Sequence, residues 1–358
     1  MKRSKSVLVM LVLSLLIFGF AWCNEGIAGE AINAKGGYFP IPTDPYAKLI
    51  RWNLNELEKR SNGAIKFKYF WSQSLVSAKD SPDALKSGLV QSVTLVPAYY
   101  PSKMPLYVMG YLPGLLPLTG DSREEWITYF KIMNEWLETE ALKNEFSQQK
   151  AVLFTEMYPA VYSILGNIRI SRVEDLKGKK IRAIGGSADL LSSAGGVPIF
   201  TTMPEIYEAL YKGTIEAACH AWMNFHSYKI YEKAKYWTYG IRLGNMPSAL
   251  VLSEKTYNAL PKEAQKMIRT IRNEFPYKLA DDWTELKKMV VKDFKKSGLE
   301  LIKFPDKENH ELAKYAQKHW ENYVEKAEKR GVKAKEAFNN LQDIIQKHVA
   351  EYQPYYIK

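Results

Sequence analysis

Apolar positions along this chain follow two periods, and the switches between them mark its elements. The stretch before Pro40 reads as a short polar lead. Leu49, Trp52, Leu54 and Leu57 then fall at helical spacing behind Asp44 and Pro45, a capping residue and a first-turn proline. Ser61-Asn62-Gly63 stops that run, and residues 64–70 alternate as a strand does. Ser81-Pro82-Asp83 opens a second helix that Gly88 ends, and residues 89–96 are β-rich up to Pro97. A longer helix is predicted from Asp121-Ser122 through Trp126, Tyr129, Phe130, Met133, Trp136 and Leu137. Residues 151–155 read as a buried strand, and 156–165 as extended chain crossing between two halves. A strand over 179–184 leads into Gly185-Gly186-Ser187 and a helix. A helix ending Ala209-Leu210-Tyr211-Lys212 is stopped by Gly213 and leads to a strand over 214–219, with His220 at its end. Residues 236–243 and 248–252 predict strands returning to the first half. From Lys262 onward the pattern is mostly helical. Phe275, Leu279, Trp283, Leu286, Val290 and Phe294 form one stripe, within which Pro276 marks a kink or a boundary. Two more helices are predicted near 308–329 and 334–351. No heptad is sustained, which excludes a coiled coil.

One pattern occurs twice. Strand, helix, glycine and strand run from 64 to 96, and again from 179 to 219, with Ala84-Leu85-Lys86-Ser87-Gly88 paralleling Ala209-Leu210-Tyr211-Lys212-Gly213. Two α/β halves of similar build follow, each presenting residues just past the carboxyl end of a strand, where open parallel sheets bind ligands.

Residues 1–31 change the picture of where the protein works. Lys2, Arg3 and Lys5 precede an apolar run over 7–21, and small residues follow, which is the grammar of a cleaved export signal. The run is short for a membrane span, so an uncleaved anchor is the weaker reading. Lipid modification of Cys23 is disfavoured by bulky Trp22. An exported, periplasmic protein is expected. Cys23 and Cys219 are the only cysteines, so no disulfide framework holds it and stability rests on a core. The formal net charge of +11 belongs partly to the signal; the remaining basic residues are mixed with acids, and nucleic-acid binding is not indicated.

Arg182 sits within a strand, where a guanidinium needs an acid from the protein or from a ligand. Gly185 and the turn after it offer backbone N–H groups at a helix start. The pattern lacks both the P-loop lysine and the dinucleotide glycines. Cys219 and His220 are neighbours on a strand and point opposite ways, so they do not serve one centre; no metal pattern completes around them, and no cofactor is indicated. His220 reads as a cleft hydrogen-bonding group. Trp222, Asn224, Tyr158, Tyr162, Tyr99 and Tyr100 are candidates to line the same space, with core packing the competing explanation for each aromatic.

The order and spacing of several segments resemble the solute-binding proteins of TRAP (tripartite ATP-independent periplasmic) transporters, in their C4-dicarboxylate-binding branch. The segments are Leu54-Asn55-Glu56-Leu57-Glu58-Lys59-Arg60-Ser61-Asn62-Gly63, Asp83-Ala84-Leu85-Lys86-Ser87-Gly88, Tyr111-Leu112-Pro113, Glu174-Asp175-Leu176-Lys177-Gly178-Lys179-Lys180-Ile181-Arg182, Glu205-Ile206-Tyr207-Glu208-Ala209-Leu210, Tyr231-Glu232-Lys233-Ala234-Lys235-Tyr236 and Leu260-Pro261. The resemblance implies a two-domain periplasmic binding protein fold of α/β class, with crossing strands, a long interdomain helix and a helical C-terminus. It implies domains over 32–157 plus about 245–285, and over 158–244 plus about 286–358. It implies no catalysis, a small organic acid held by Arg182, and delivery to a TRAP membrane permease. The chain departs from the family at Cys219-His220-Ala221-Trp222, at Tyr158 and Tyr162, where some members place a second arginine, and at Ser72-Gln73-Ser74-Leu75, which lacks a usual glycine. One arginine among aromatics favours a monocarboxylate, aromatic or hydroxy- or keto-substituted, over a dicarboxylate. The alternative is an exported enzyme acting on an organic acid, with Cys219 or His220 in its chemistry.

Overall fold

The computed structural model describes residues 31–157, 161–201 and 203–357, and every structural statement below concerns these. The expected export signal and Tyr158 lie outside them. The first half opens with β1 (Ile32–Gly37), α1 (Pro45–Arg60), β2 (Ile65–Phe70), α2 (Ser81–Ser87) and β3 (Ser92–Leu95). Local chemistry explains α1: Asp44 accepts a hydrogen bond from the Tyr46 N–H at 2.8 Å, Pro45 holds the first position, and Leu49, Ile50, Leu54 and Leu57 bury one face. β1 corrects the expectation of a polar lead. Ile32-Asn33-Ala34-Lys35-Gly36-Gly37 has little β-propensity of its own. It is a strand because it pairs in parallel with both β2 and β3 and lies between them. Gly37 has no room for a side chain there, since a Cβ would stand 2.4 Å from Val76 Cγ1.

The chain continues through α3 (Pro105–Met109), α4 (Arg123–Leu137), α5 (Glu140–Gln148) and β4 (Ala151–Glu156), then enters the second sheet at β5 (Tyr162–Gly166). That half holds β6 (Lys180–Arg182), α6 (Gly185–Ser193), β7 (Val197–Ile199), α7 (Ile206–Tyr211), β8 (Ala217–Ala221), α8 (Trp222–Ser227) and β9 (Tyr236–Tyr239). The chain returns to the first sheet with β10 (Ala249–Ser253). After α9 (Glu254–Ala259) and α10 (Lys262–Lys296), β11 (Glu300–Lys303) adds an edge strand to the second sheet. It is followed by α11 (Asp306–Glu328) and α12 (Ala334–His348). The strand orders are β2-β1-β3-β10-β4 and β11-β9-β5-β8-β6-β7.

Two expectations are corrected by these pairings. Residues 236–243 read as a strand returning to the first half, although the implied domain bounds kept them in the second; β9 pairs with β5 and β11 in the second, with Trp237 opposite Leu165. Only β10 returns. The repeated pattern is real, yet its register differs. β1-α1-β2-α2-β3, arranged 2-1-3, matches β6-α6-β7-α7-β8, arranged 7-6-8. The counterpart of the Arg182 strand is therefore β1, not the strand over 64–70. Gly88 and Gly213 occupy the same place in both units, with φ of 77° and 72°. Each sheet also receives an antiparallel strand: β10 beside β3, and β5 beside β8.

The halves are joined by more than the crossings. α10 runs unbroken through buried Pro276 and packs on α1 and α4 of one half and on α8 of the other. Trp283 of α10 meets Trp126 edge-on at 5.7 Å and Trp222 at 6.4 Å, so one buried side chain touches both halves. At the first crossing, the Tyr107 hydroxyl donates to the buried Glu156 carboxyl, and the Tyr129 hydroxyl stands at 3.5 Å. Burial pushes Glu156 up to about 8.

Candidate ligand-binding site

β6 ends at Arg182, at the carboxyl edge of the second sheet, between the parallel neighbours β7 and β8. The residue is 3% exposed. Its Nε donates to the Thr201 carbonyl at 3.0 Å and its Nη1 to the Cys219 carbonyl at 3.3 Å. Among the described residues its hydrogen bonds go to these carbonyls, and no carboxylate pairs with it. A guanidinium so placed lies in a poorly solvated setting, which is costly until an anion meets it.

Tyr162 opens β5 beside it. The ring is buried and stacks on His220 at 5.1 Å, and the hydroxyl has no hydrogen-bond partner. His220 Nδ1 accepts the Ala221 N–H at 2.8 Å, and the Asn224 side chain hydrogen-bonds the ring. Burial first, then Arg182, hold the imidazole down at about 3, so His220 is a neutral ring at neutral pH. The Arg182 charge also acts on Tyr162, Cys219 and Tyr99, the last 44% exposed and from the first half.

The remaining candidates are placed differently. The Tyr100 hydroxyl accepts the Val96 N–H at 2.8 Å and bonds Ser81 at 3.3 Å, bracing its own loop. Trp222 is buried against Trp283, with its indole N–H lacking a partner. Gly185 takes φ of 56° as the first residue of α6, a conformation that favours glycine.

A cavity of about 220 Å³ opens between the halves, with Tyr111 and Pro113 on one side, Tyr162, Gly185 and Gly186 on the other, and His319 of α11 closing it. Arg182, His220, Trp222 and Asn224 do not line it; Tyr162 links their cluster to it. Gly186 makes the nearest approach, since a Cβ there would stand 2.8 Å from Pro113 Cδ. A groove of about 350 Å³ near the start of β4 holds Arg272 paired with Glu138 at 2.6 Å. Tyr111, Pro113 and His319 were absent from the sequence candidates. Tyr111 and Pro113 lay in a quoted family segment, whereas nothing in the α11 stripe separates His319 from a packing helix.

Comparison with known proteins places this geometry in context. The family model for bacterial extracellular solute-binding proteins of family 7 matches residues 42–327. A solute-binding protein of Albidiferax ferrireducens is 28% identical over 233 residues, spanning 63% of this chain and 66% of that protein. A TRAP periplasmic solute binding protein from Desulfovibrio salexigens, solved as an open complex, is 21% identical, with a TM-score of 0.77 over 90% of this chain and 98% of that one. A marine metagenome TRAP solute binding protein specific for aromatic acid ligands, solved with 3-hydroxybenzoate, is 20% identical, with a TM-score of 0.77 over 90% and 100% of the two chains. The structural likenesses establish the expected two-domain fold. With the model covering most of its length, the chain belongs to the bacterial extracellular solute-binding proteins of family 7.

Proposed function

We propose that this protein is a periplasmic receptor that captures a small aromatic, hydroxy- or keto-substituted monocarboxylate between its halves and delivers it to a TRAP membrane permease. The observation that carries this reading is Arg182: a buried guanidinium at a strand edge, bonded to two carbonyls and, among the described residues, to no acid. A ligand carboxylate meets its remaining N–H groups side by side, as planar acid and planar guanidinium do. Tyr162 has a free hydroxyl beside it. The start of α6 adds favourable dipoles, and Tyr111, Tyr162 and Pro113 supply apolar walls. Apart from Arg182, which reaches the cavity only through Tyr162, no lysine or arginine among the described residues stands at it while Asp189 does, which favours one carboxylate over two. The export signal expected at 1–31 agrees with a periplasmic place. The marine relative's 3-hydroxybenzoate belongs to the same ligand class. An enzyme reading gains nothing from Cys219, whose buried thiol is pushed up to about 12 and is a poor nucleophile.

Thermal shift and calorimetry against benzoate, 3-hydroxybenzoate, mandelate, pyruvate and succinate test the proposal. Stabilisation by one or more of the monoacids is expected; stabilisation by succinate alone refutes the preference. Ligand binding draws the halves together when the ligand favours the closed arrangement. Gly186→Ala places a methyl where Pro113 stands, and is expected to weaken binding about tenfold while leaving the unliganded melting temperature close to wild type. Equal affinity in calorimetry would remove the Gly186–Pro113 approach from the closing step.

A further inference from the structure

We infer that His319 reads a second polar group on the ligand, accepting through Nε2 a hydrogen bond from a hydroxyl at the end remote from the carboxylate. This rests on the carboxylate reading of Arg182 and extends it into the cavity that Tyr162 joins to the Arg182 cluster. His319 lines that cavity, and its Nε2 is buried without a hydrogen-bond partner. The same atom would lie 3.7 Å from a Cβ at Gly186, so it borders the glycine turn that follows Arg182. Its Nδ1 faces the Asp189 carboxylate at 3.9 Å, and a carboxylate can only accept. That contact is longer than a hydrogen bond, but the carboxylate's field favours the tautomer with the ring proton on Nδ1 and a lone pair on Nε2. Burial holds the imidazole below its ordinary value, with Lys326 in the same direction and Asp189 opposing.

The helix that carries it is held in place. One residue along α11, the Trp320 indole N–H donates to the Pro113 carbonyl at 2.9 Å, and the Ala316 methyl is 3.2 Å from the Cβ position of Gly114. These contacts seat α11 on the first-half loop that forms the facing wall. Neighbouring Tyr323 also lines the cavity, but its hydroxyl already has a partner, donating to the Pro105 carbonyl at 2.8 Å, whereas Nε2 of His319 has none. A buried acceptor left unmet is costly, so a ligand hydroxyl that meets it is favoured and an analogue without one is disfavoured.

Calorimetry on matched acids tests this: 3-hydroxybenzoate against benzoate, and 3-hydroxyphenylacetate against phenylacetate. Wild type is expected to prefer the hydroxyl member of at least one pair by about tenfold or more. His319→Leu should erase that preference while shifting the unsubstituted acid by less than about threefold, and His319→Gln, which carries an amide near the Nε2 position, should restore part of it. Preference that survives in His319→Leu, or equal binding of both members by wild type, overturns the role of His319 alone. Failure of wild type to bind either member of any pair overturns the carboxylate reading beneath it.

Discussion

Arg182→Ala is expected to cost about 3–5 kcal/mol of acid affinity, enough to carry a micromolar ligand out of calorimetric range. The magnitude follows from where the guanidinium sits. It is 3% exposed, so water screens it little, and a ligand carboxylate pairing with it would lose little to competition from solvent. Removing it leaves that carboxylate desolvated and unpaired, and the second loss is as large as the first. Arg182→Lys separates charge from geometry. An ammonium keeps the charge and loses the planar fork, so an intermediate loss of about 10- to 100-fold is expected. The fold is expected to survive both changes. Arg182→Ala leaves the Thr201 and Cys219 carbonyls short of one donor each, but it also removes an unpaired buried charge. Circular dichroism melts provide the control. A folded Arg182→Ala protein that binds the same acid with wild-type affinity would end the assignment.

Trp283→Ala is expected to give the largest loss of stability, about 3–5 kcal/mol, read as a drop in the urea midpoint. Its ring is 1% exposed and contacts Trp126 and Trp222 edge-on, an arrangement that adds to simple burial. Nothing nearby can collapse to fill the space without moving α4 or α8, which belong to different halves. Met289 on the same helix is 47% exposed, and Met289→Ala should stay within about 0.5 kcal/mol of wild type. A cost below about 1 kcal/mol for Trp283→Ala would mean that the two halves do not depend on α10 for their packing.

Legibility followed the range of the interactions. α1 and α2 could be read because their caps and stops lie within a turn of each helix: Asp44 and Pro45 at one, Gly88 in its left-handed conformation at the other. The α10 stripe was readable for the same reason, and Pro276 was ambiguous because tertiary packing decides whether a helix bends or continues. β1 was missed because Gly36-Gly37 argues locally against a strand, while its pairing partners lie some thirty to sixty residues away. β9 was assigned to the wrong half because a strand's sequence names its faces, not its neighbours. Arg182 stood out as a charged residue in a strand, and Gly185 as the turn after it. His319 did not, because a histidine on an amphipathic helix has the same local pattern whether it faces solvent, core or cavity.

From the sequence alone came the export signal as an expectation, two α/β halves, a carboxylate-binding candidate at the end of one strand, and the resemblance that the family model bears out. These rest on periodicity, caps and ordered motifs, which act over a few residues or as a linear pattern. Only the tertiary structure decided that β1 is the counterpart of β6 and that β10 alone returns to the first sheet. It also decided that Pro113, Gly186 and His319 meet around one cavity. Those facts depend on contacts between residues far apart in the chain, where backbone pairing and close packing choose among arrangements that the local pattern allows equally.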